Sequence, residues 1–255
     1  MKKLIDTHCH IYNEFYDNID NVINDFKENN IDVVFNCADS YESSLEVVKL
    51  SKLYDSMYPA VGIHPEELLN IQESEIDDYI LKIENLIKNN KVIAIGEIGL
   101  DYYHDKSNKD IQKYLFEEQL KLAQKYSLPV IIHVREATKD VIDILKKYKL
   151  KGIIHCFNGS LETAQIYIKM GYLLGIGGLI TFKNCNLKNI INEIGLHNIV
   201  LETDSPFLTP EPFRGCKNEP KFIIYTLERL SELTETSQEE LVKITYDNIQ
   251  RIFDI

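Results

Sequence analysis

The sequence is short of basic residues. It carries 28 Lys and Arg against 40 Asp and Glu, a formal charge of −12 and a pI near 5.1. That balance excludes the basic footprint of a protein that tracks along a nucleic-acid duplex. Paired cysteines are also lacking: the five are odd in number and none forms a C-x-x-C pair. A disulfide framework is therefore not expected, and all five are read as reduced thiols. No apolar run approaches the roughly 20 residues that span a bilayer. Met1-Lys2-Lys3-Leu4-Ile5 opens like a signal peptide, but Asp6, His8 and His10 interrupt the apolar segment at once. The expectation is a soluble, cytoplasmic protein with no membrane attachment and no obligate protein partner. Linkers, low-complexity tracts and internal repeats are lacking too, so residues 1–255 read as one domain.

Short apolar runs are abundant, and they alternate with amphipathic stretches. Strand-like runs fall at residues 4–8, 32–36, 57–62, 91–96, 129–133, 152–155, 172–176 and 198–202. Their nearly continuous apolar cores suit strands buried on both faces of a parallel sheet. Helical patterns lie between them at 19–29, 43–54, 75–89, 109–126, 138–148, 161–170 and 187–194. Ser160 is placed to cap the sixth helix and Gly171 to end it. A Pro/Gly-rich loop at 205–220 and helices at 222–233 and 238–253 complete the chain. Strict β/α alternation leaves an open doubly wound sheet or a closed barrel. Eight repeats at this length, with metal-binding residue types from the first strand to the last, favour a single closed (β/α)₈ TIM barrel with its site at the C-terminal rim.

The chemistry sits where the apolar runs end. His8 and His10 are two apart on a strand and share a face; Asp6 has the same parity and is placed to bond a ligand imidazole. Glu97 directly follows the fourth run, where a buried carboxylate needs an ion pair or a metal. His133 and His155 end the fifth and sixth runs; either alone would read as a core histidine bonded to a carbonyl. Asp204 follows the eighth, with Glu202 two residues deeper, and Cys9 and Cys156 are expected to turn to the opposite face by strand alternation. Four histidines and two carboxylates exceed what one tetrahedral ion needs. They divide into two sites that share Glu97 as a bridge, with His8, His10 and Asp204 on one ion and His133 and His155 on the other. Two divalent ions about 3.5–4 Å apart suit in-line displacement at phosphorus. The mixed nitrogen and oxygen donors admit Zn²⁺, Mn²⁺ or Co²⁺, with Mg²⁺ the less usual guest for so many imidazoles.

Arg135 shares the face of His133, and Arg214 lies on the loop after the last strand; both guanidinium forks suit phosphate oxygens. Arg214 has the alternative of tying its loop to Glu219 or to the barrel rim. His64, followed by Pro65, is placed to bond the attacking water or a phosphate, or to order its loop. Asp204 is the expected catalytic base beside the bridging Glu97. His197 precedes the eighth strand, on the opposite face, and receives no role; His104 reads as a solvated loop residue.

Together, Asp6-Thr7-His8-Cys9-His10, Gly62-Ile63-His64-Pro65, Gly96-Glu97-Ile98-Gly99-Leu100-Asp101-Tyr102, Leu128-Pro129-Val130-Ile131-Ile132-His133, His155-Cys156-Phe157, Gly177-Gly178 with Thr181-Phe182-Lys183-Asn184, Glu202-Thr203-Asp204-Ser205-Pro206 and Arg214-Gly215 with Asn218-Glu219-Pro220 form an ordered set. In that order the chain resembles the TatD family of metal-dependent deoxyribonucleases, within the amidohydrolase-like barrel superfamily. The resemblance implies that His8, His10, Glu97, His133, His155 and Asp204 are metal ligands. It also implies hydrolysis of DNA phosphodiesters, commonly from a 3′ end. Val134, Glu136 and Asn158 depart from the family's usual serine, aspartate and serine, which bears on substrate positioning. Two divalent ions would bring the charge only from −12 to −8, so strand ends or single-stranded DNA suit the surface better than a long duplex and favour exonuclease action. Amide or ester hydrolysis, for example of an aminoacyl ester, is the rival reaction on the same site. A metal-stabilised scaffold is disfavoured, because a structural site is closed and does not need six ligands at an open rim.

Overall fold

The structure is a computed structural model that describes residues 3–255; Met1 and Lys2, part of the leader-like opening, lie outside the described residues. Every expected strand and helix is formed, and the residues group into two compact units. One unit comprises the described residues up to Asn36 with His155–Ile255, the other Cys37–Ile154.

In the first unit, β1 (Leu4–Cys9) pairs in parallel with β2 (Ile31–Cys37), and β7 (Tyr172–Ile176) with β8 (Ile199–Leu201). First and last strands meet, as a closed barrel requires: Asp204 N–H donates to the His8 carbonyl at 2.9 Å and His10 N–H to that of Ser205 at 2.7 Å. Helices α1 (Ile19–Glu28), α6 (Leu161–Lys169), α7 (Leu187–Ile194), α8 (Ile223–Thr234) and α9 (Gln238–Gln250) belong to this unit. Helix α1 buries Ile19, Val22 and Phe26 on one face, and Asn18 caps it by accepting from Asn21 N–H. Ser160 caps α6 as expected, and Gly171, at φ +94°, ends it in the left-handed conformation.

The second unit pairs β3 (Met57–Val61), β4 (Ala94–Asp101), β5 (Val130–Arg135) and β6 (Gly152–Ile154) in parallel, with α2 (Tyr41–Ser51), α3 (Ile76–Asn89), α4 (Lys109–Tyr126) and α5 (Thr138–Leu145). Helix α2 starts two residues before the expected 43, because Ser40 and Ser43 form a reciprocal cap. The larger correction is β4. It was expected at 91–96 but begins at Ala94 and runs past Glu97, since Ile98, Gly99, Leu100 and Asp101 pair with Ile132, His133, Val134 and Arg135. Glu97 therefore lies inside a strand, at a register shift between Ile95 and Ile98. Such a slip re-aims a side chain. Among the described residues no helix is long and apolar enough to cross a membrane, and all five cysteines are free thiols.

Helices α3 and α4 are joined by one carboxylate. Glu84 Oε1 accepts from Lys125 Nζ at 2.7 Å, Tyr126 OH at 2.5 Å and Lys88 Nζ at 3.0 Å. These bonds lower its pKa from 4.5 to about 2, so the stability it confers is present above pH 4.5 and lost as the pH falls towards 2. Urea titrations from pH 5 to 2 should show a shallower stability loss for Glu84→Gln than for the wild type; equal slopes would remove Glu84 from the acid response.

Candidate metal centre

In the first unit, β1 and the turn after β8 bring three donors together. His8 Nε2 lies 3.1 Å from His10 Nε2, and the two stand 3.5 and 3.6 Å from Asp204 Oδ1. Donors about 2.0–2.1 Å from one ion in tetrahedral geometry are about 3.4 Å apart, so the triangle has the size of a coordination face. Imidazole nitrogens converging on a carboxylate are the donor set of a borderline divalent cation. The residues fit a metal. His155 stacks on His8 with ring centroids 4.0 Å apart.

Supports of these donors explain their order. Asp6 does not bond an imidazole as expected: its Oδ1 accepts from the backbone N–H of His8 and of Thr203, and its Oδ2 from Thr203 Oγ1 at 2.5 Å. It thus ties β1 to the segment that carries Asp204. Burial pushes its carboxyl up to about 8, against the hydrogen bonds it accepts. Glu202 accepts from Cys156 N–H at 2.6 Å and lies 3.7 Å from His155 Nδ1. A Cβ at Gly175 would fall 2.0 Å from its Oε2, so any larger residue there would displace the Glu202 carboxylate. Asp204 is not on a strand: β8 stops at Leu201, and Asp204 takes a left-handed φ of +58°. Burial raises its carboxyl, but the His10 hydrogen bond and the charges of His155, His8 and His10 outweigh that and hold it below the ordinary value. Cys156 likewise lies beyond β6 at φ +47°, so alternation does not set its direction, whereas buried Cys9 donates to the Phe35 carbonyl.

The second unit builds a set around Glu97, which is buried. Glu97 Oε1 is 2.9 Å from His133 Nδ1 and 3.6 Å from His64 Nε2. His64, expected to serve substrate, stands among the potential ligands, and its Nδ1 accepts from Glu66 N–H at the start of the turn Pro65–Leu69. Asp101 was missed. Its Oδ2 lies 3.0 Å from His133 Nε2, and its Oδ1 accepts from Tyr103 and His104 N–H. Burial raises the Asp101 carboxyl, but the bonds from His133 and His104 more than reverse this, so it stays ionised. Its parity with Glu97 on β4 was the available signal. A carboxylate on one imidazole nitrogen orients the ring so that the other can face a metal; with Nε2 on Asp101, the nitrogen placed beside Glu97 is Nδ1. Gly99 admits this geometry, since a Cβ there would lie 2.0 Å from the His133 carbonyl oxygen. Asp101→Asn should weaken metal binding about 10–100-fold in titrations of stripped protein. Unchanged affinity in a variant that melts normally would end that role.

The arginines are peripheral. Arg135 ends β5, exposed, with its guanidinium 4.0 Å from the Tyr103 ring centroid. Arg214 lies over the Phe182 ring at 4.3 Å and reaches Glu211 at 4.0 Å, whereas Glu219 pairs with Lys221. Of the alternatives for Arg214, the tie to Glu219 is not the one formed; its ion-pair partner is Glu211 on the same loop. His104 is not simply solvated: its Nδ1 meets Glu66 at 2.9 Å and Asp101 at 3.0 Å. His197 lies in the turn Leu196–Asn198 at the start of β8, where its carbonyl accepts from Arg251.

Two units with these donor sets match a known family across almost the whole chain. Residues 5–254 match the TatD-related DNase family. A Bacillus subtilis protein described as an uncharacterized metal-dependent hydrolase, YabD, is 41% identical over 257 residues, covering 99% of both chains. A similarly described protein of Methanocaldococcus jannaschii is 33% identical, covering 98% of this chain and 97% of its own. The crystal structure of the TatD homologue YjjV from Escherichia coli superposes with a TM-score of 0.92 at 29% identity, over 99% of this chain and 98% of that one. The eight strands follow one another in chain order, and the fold class is the (β/α)₈ barrel. The chain belongs to the TatD-related DNase family and is a metal-dependent hydrolase of that family.

Proposed function

We propose that the protein hydrolyses DNA phosphodiester bonds as a 3′–5′ exodeoxyribonuclease acting on strand ends or single-stranded DNA, as one cytoplasmic domain. The observation that carries this reading is the pair of donor sets, His8–His10–Asp204 and Glu97–His133–His64, in a chain of a family described as DNases. His8, His10, Glu97, His133, His155 and Asp204 would hold two divalent ions (Zn²⁺, Mn²⁺ or Mg²⁺) with Glu97 shared. When bound, such ions lower the pKa of water towards neutrality and neutralise charge on a transferring phosphoryl group.

The chain's own groups supply the rest. Asp204, ionised within reach of two imidazoles, accepts the proton of the attacking water. The water oxygen bonds to phosphorus, the P–O3′ bond breaks, and O3′ takes up the proton that Asp204 accepted and leaves as the new strand end; a 5′-mononucleotide departs. Asp101, through His133, and Asp6, through Thr203, keep the donors in place. Arg135 and Arg214 are exposed on loop and strand ends, where they can swing to phosphates flanking the reacting one.

Stripped protein refilled with each divalent ion should be assayed on 5′-labelled and 3′-labelled oligonucleotides, beside ester and amide substrates. The expected result is no activity without metal. With metal, the 5′ label should give a descending ladder and the 3′ label should give mononucleotide at once. Turnover of esters or amides with intact DNA would replace this reading by its rival.

A further inference from the structure

The first unit carries one group the chemistry above does not use. Phe207, three residues after Asp204, leaves 49% of its surface exposed, and among the described residues it is the one phenylalanine so exposed. It is not a loose side chain. Its N–H donates to the Asp204 carbonyl at 2.8 Å, and its own carbonyl accepts from Asn218 Nδ2, which also bonds the Thr203 carbonyl. Four rings close a circuit that includes the donor His10: His10 to Tyr12 at 6.2 Å, Tyr12 to Phe15 at 5.0 Å, Phe15 to Phe207 at 5.5 Å, and Phe207 to His10 at 6.0 Å. Tyr12, inside that circuit, is buried, while Phe207 keeps open surface. Phe207 therefore presents a half-exposed aromatic surface, set on Phe15 and beside His10, with the arrangement of a stacking platform.

We propose that the Phe207 ring is a subsite for a nucleobase, taking the base adjacent to the phosphodiester presented at His10 and Asp204. The inference rests on the DNA-hydrolysis reading and deepens it. Stacking tolerates any base because each has a π-face, so it grips a strand end without sequence readout. It also needs few cations, which suits a chain of charge −12.

The test uses metal-loaded protein and single-stranded oligonucleotides that are unmodified or carry an abasic residue at one of the two 3′-terminal positions. For the wild type, one abasic position should lower kcat/KM by about 10-fold or more. F207A should lose a similar factor on unmodified DNA and become indifferent to that abasic position, while F207W should restore discrimination. The sequence contains no tryptophan, so F207W also places the one tryptophan, selectively excited apart from the tyrosines, at the subsite. Its emission should be quenched by an uncleavable phosphorothioate strand, and markedly less by the abasic counterpart. Wild-type discrimination in F207A, or equal quenching by both strands, overturns the subsite while leaving nuclease activity standing. A wild type that cleaves no oligonucleotide overturns the parent reading and the subsite with it.

Discussion

Asp204→Asn should retain the fold, DNA binding and at least one divalent ion, yet lose roughly 10²–10⁴-fold in kcat, the usual cost of removing a general base. The substitution keeps an oxygen donor of nearly the same shape and deletes the charge. In the structure that charge is sustained against burial by the His10 hydrogen bond and three imidazoles, so the carboxylate is ionised and oriented before substrate arrives. Losing it affects proton transfer in the transition state more than ground-state binding, and KM should change far less than kcat. Steady-state kinetics on a single-stranded oligonucleotide, with metal content measured on the same sample, decides the matter. Near-normal kcat would make Asp204 a ligand only and move the base to His64 or Glu97.

Much of this was legible in the sequence, for a physical reason. Buried parallel strands write themselves as runs such as Val130-Ile131-Ile132 and Ile199-Val200-Leu201, and helices with one buried face as periodic patterns such as Ile76, Ile80, Ile83 and Ile87. Residues of metal-binding type against such runs are costly to bury without a partner, so His8, His133 and Glu97 stood out. What alternation could not reach was the geometry where strands become irregular. Register slips between Asp6 and Cys9 and between Ile95 and Ile98 flank His8 and Glu97. Left-handed residues at Cys156 and Asp204 break the two-residue period just past β6 and β8. Partners supplied by backbone were equally hidden: Asp6 was assigned to an imidazole and instead bonds two amides and a hydroxyl. Asp101 escaped because its role depends on His133, a residue on a different strand.

Glu97→Ala should abolish activity and remove more metal than any single histidine substitution. Glu97 is buried, and its Oε1 faces both His133 and His64. Deleting the carboxylate leaves these imidazoles without the negative charge that would offset a dication in a site of low dielectric. If Glu97 is the shared ligand, both ions depend on it, and elemental analysis of the purified variant should find well under one equivalent of metal in total. His197→Ala, at the opposite end of β8, should retain wild-type metal and activity and serves as the control for handling losses. One full equivalent in Glu97→Ala would confine Glu97 to the ion beside His133 and leave the His8–His10–Asp204 set independent. Two equivalents would mean that Glu97 ligates neither ion, and its burial would then have to be explained by its histidine neighbours alone.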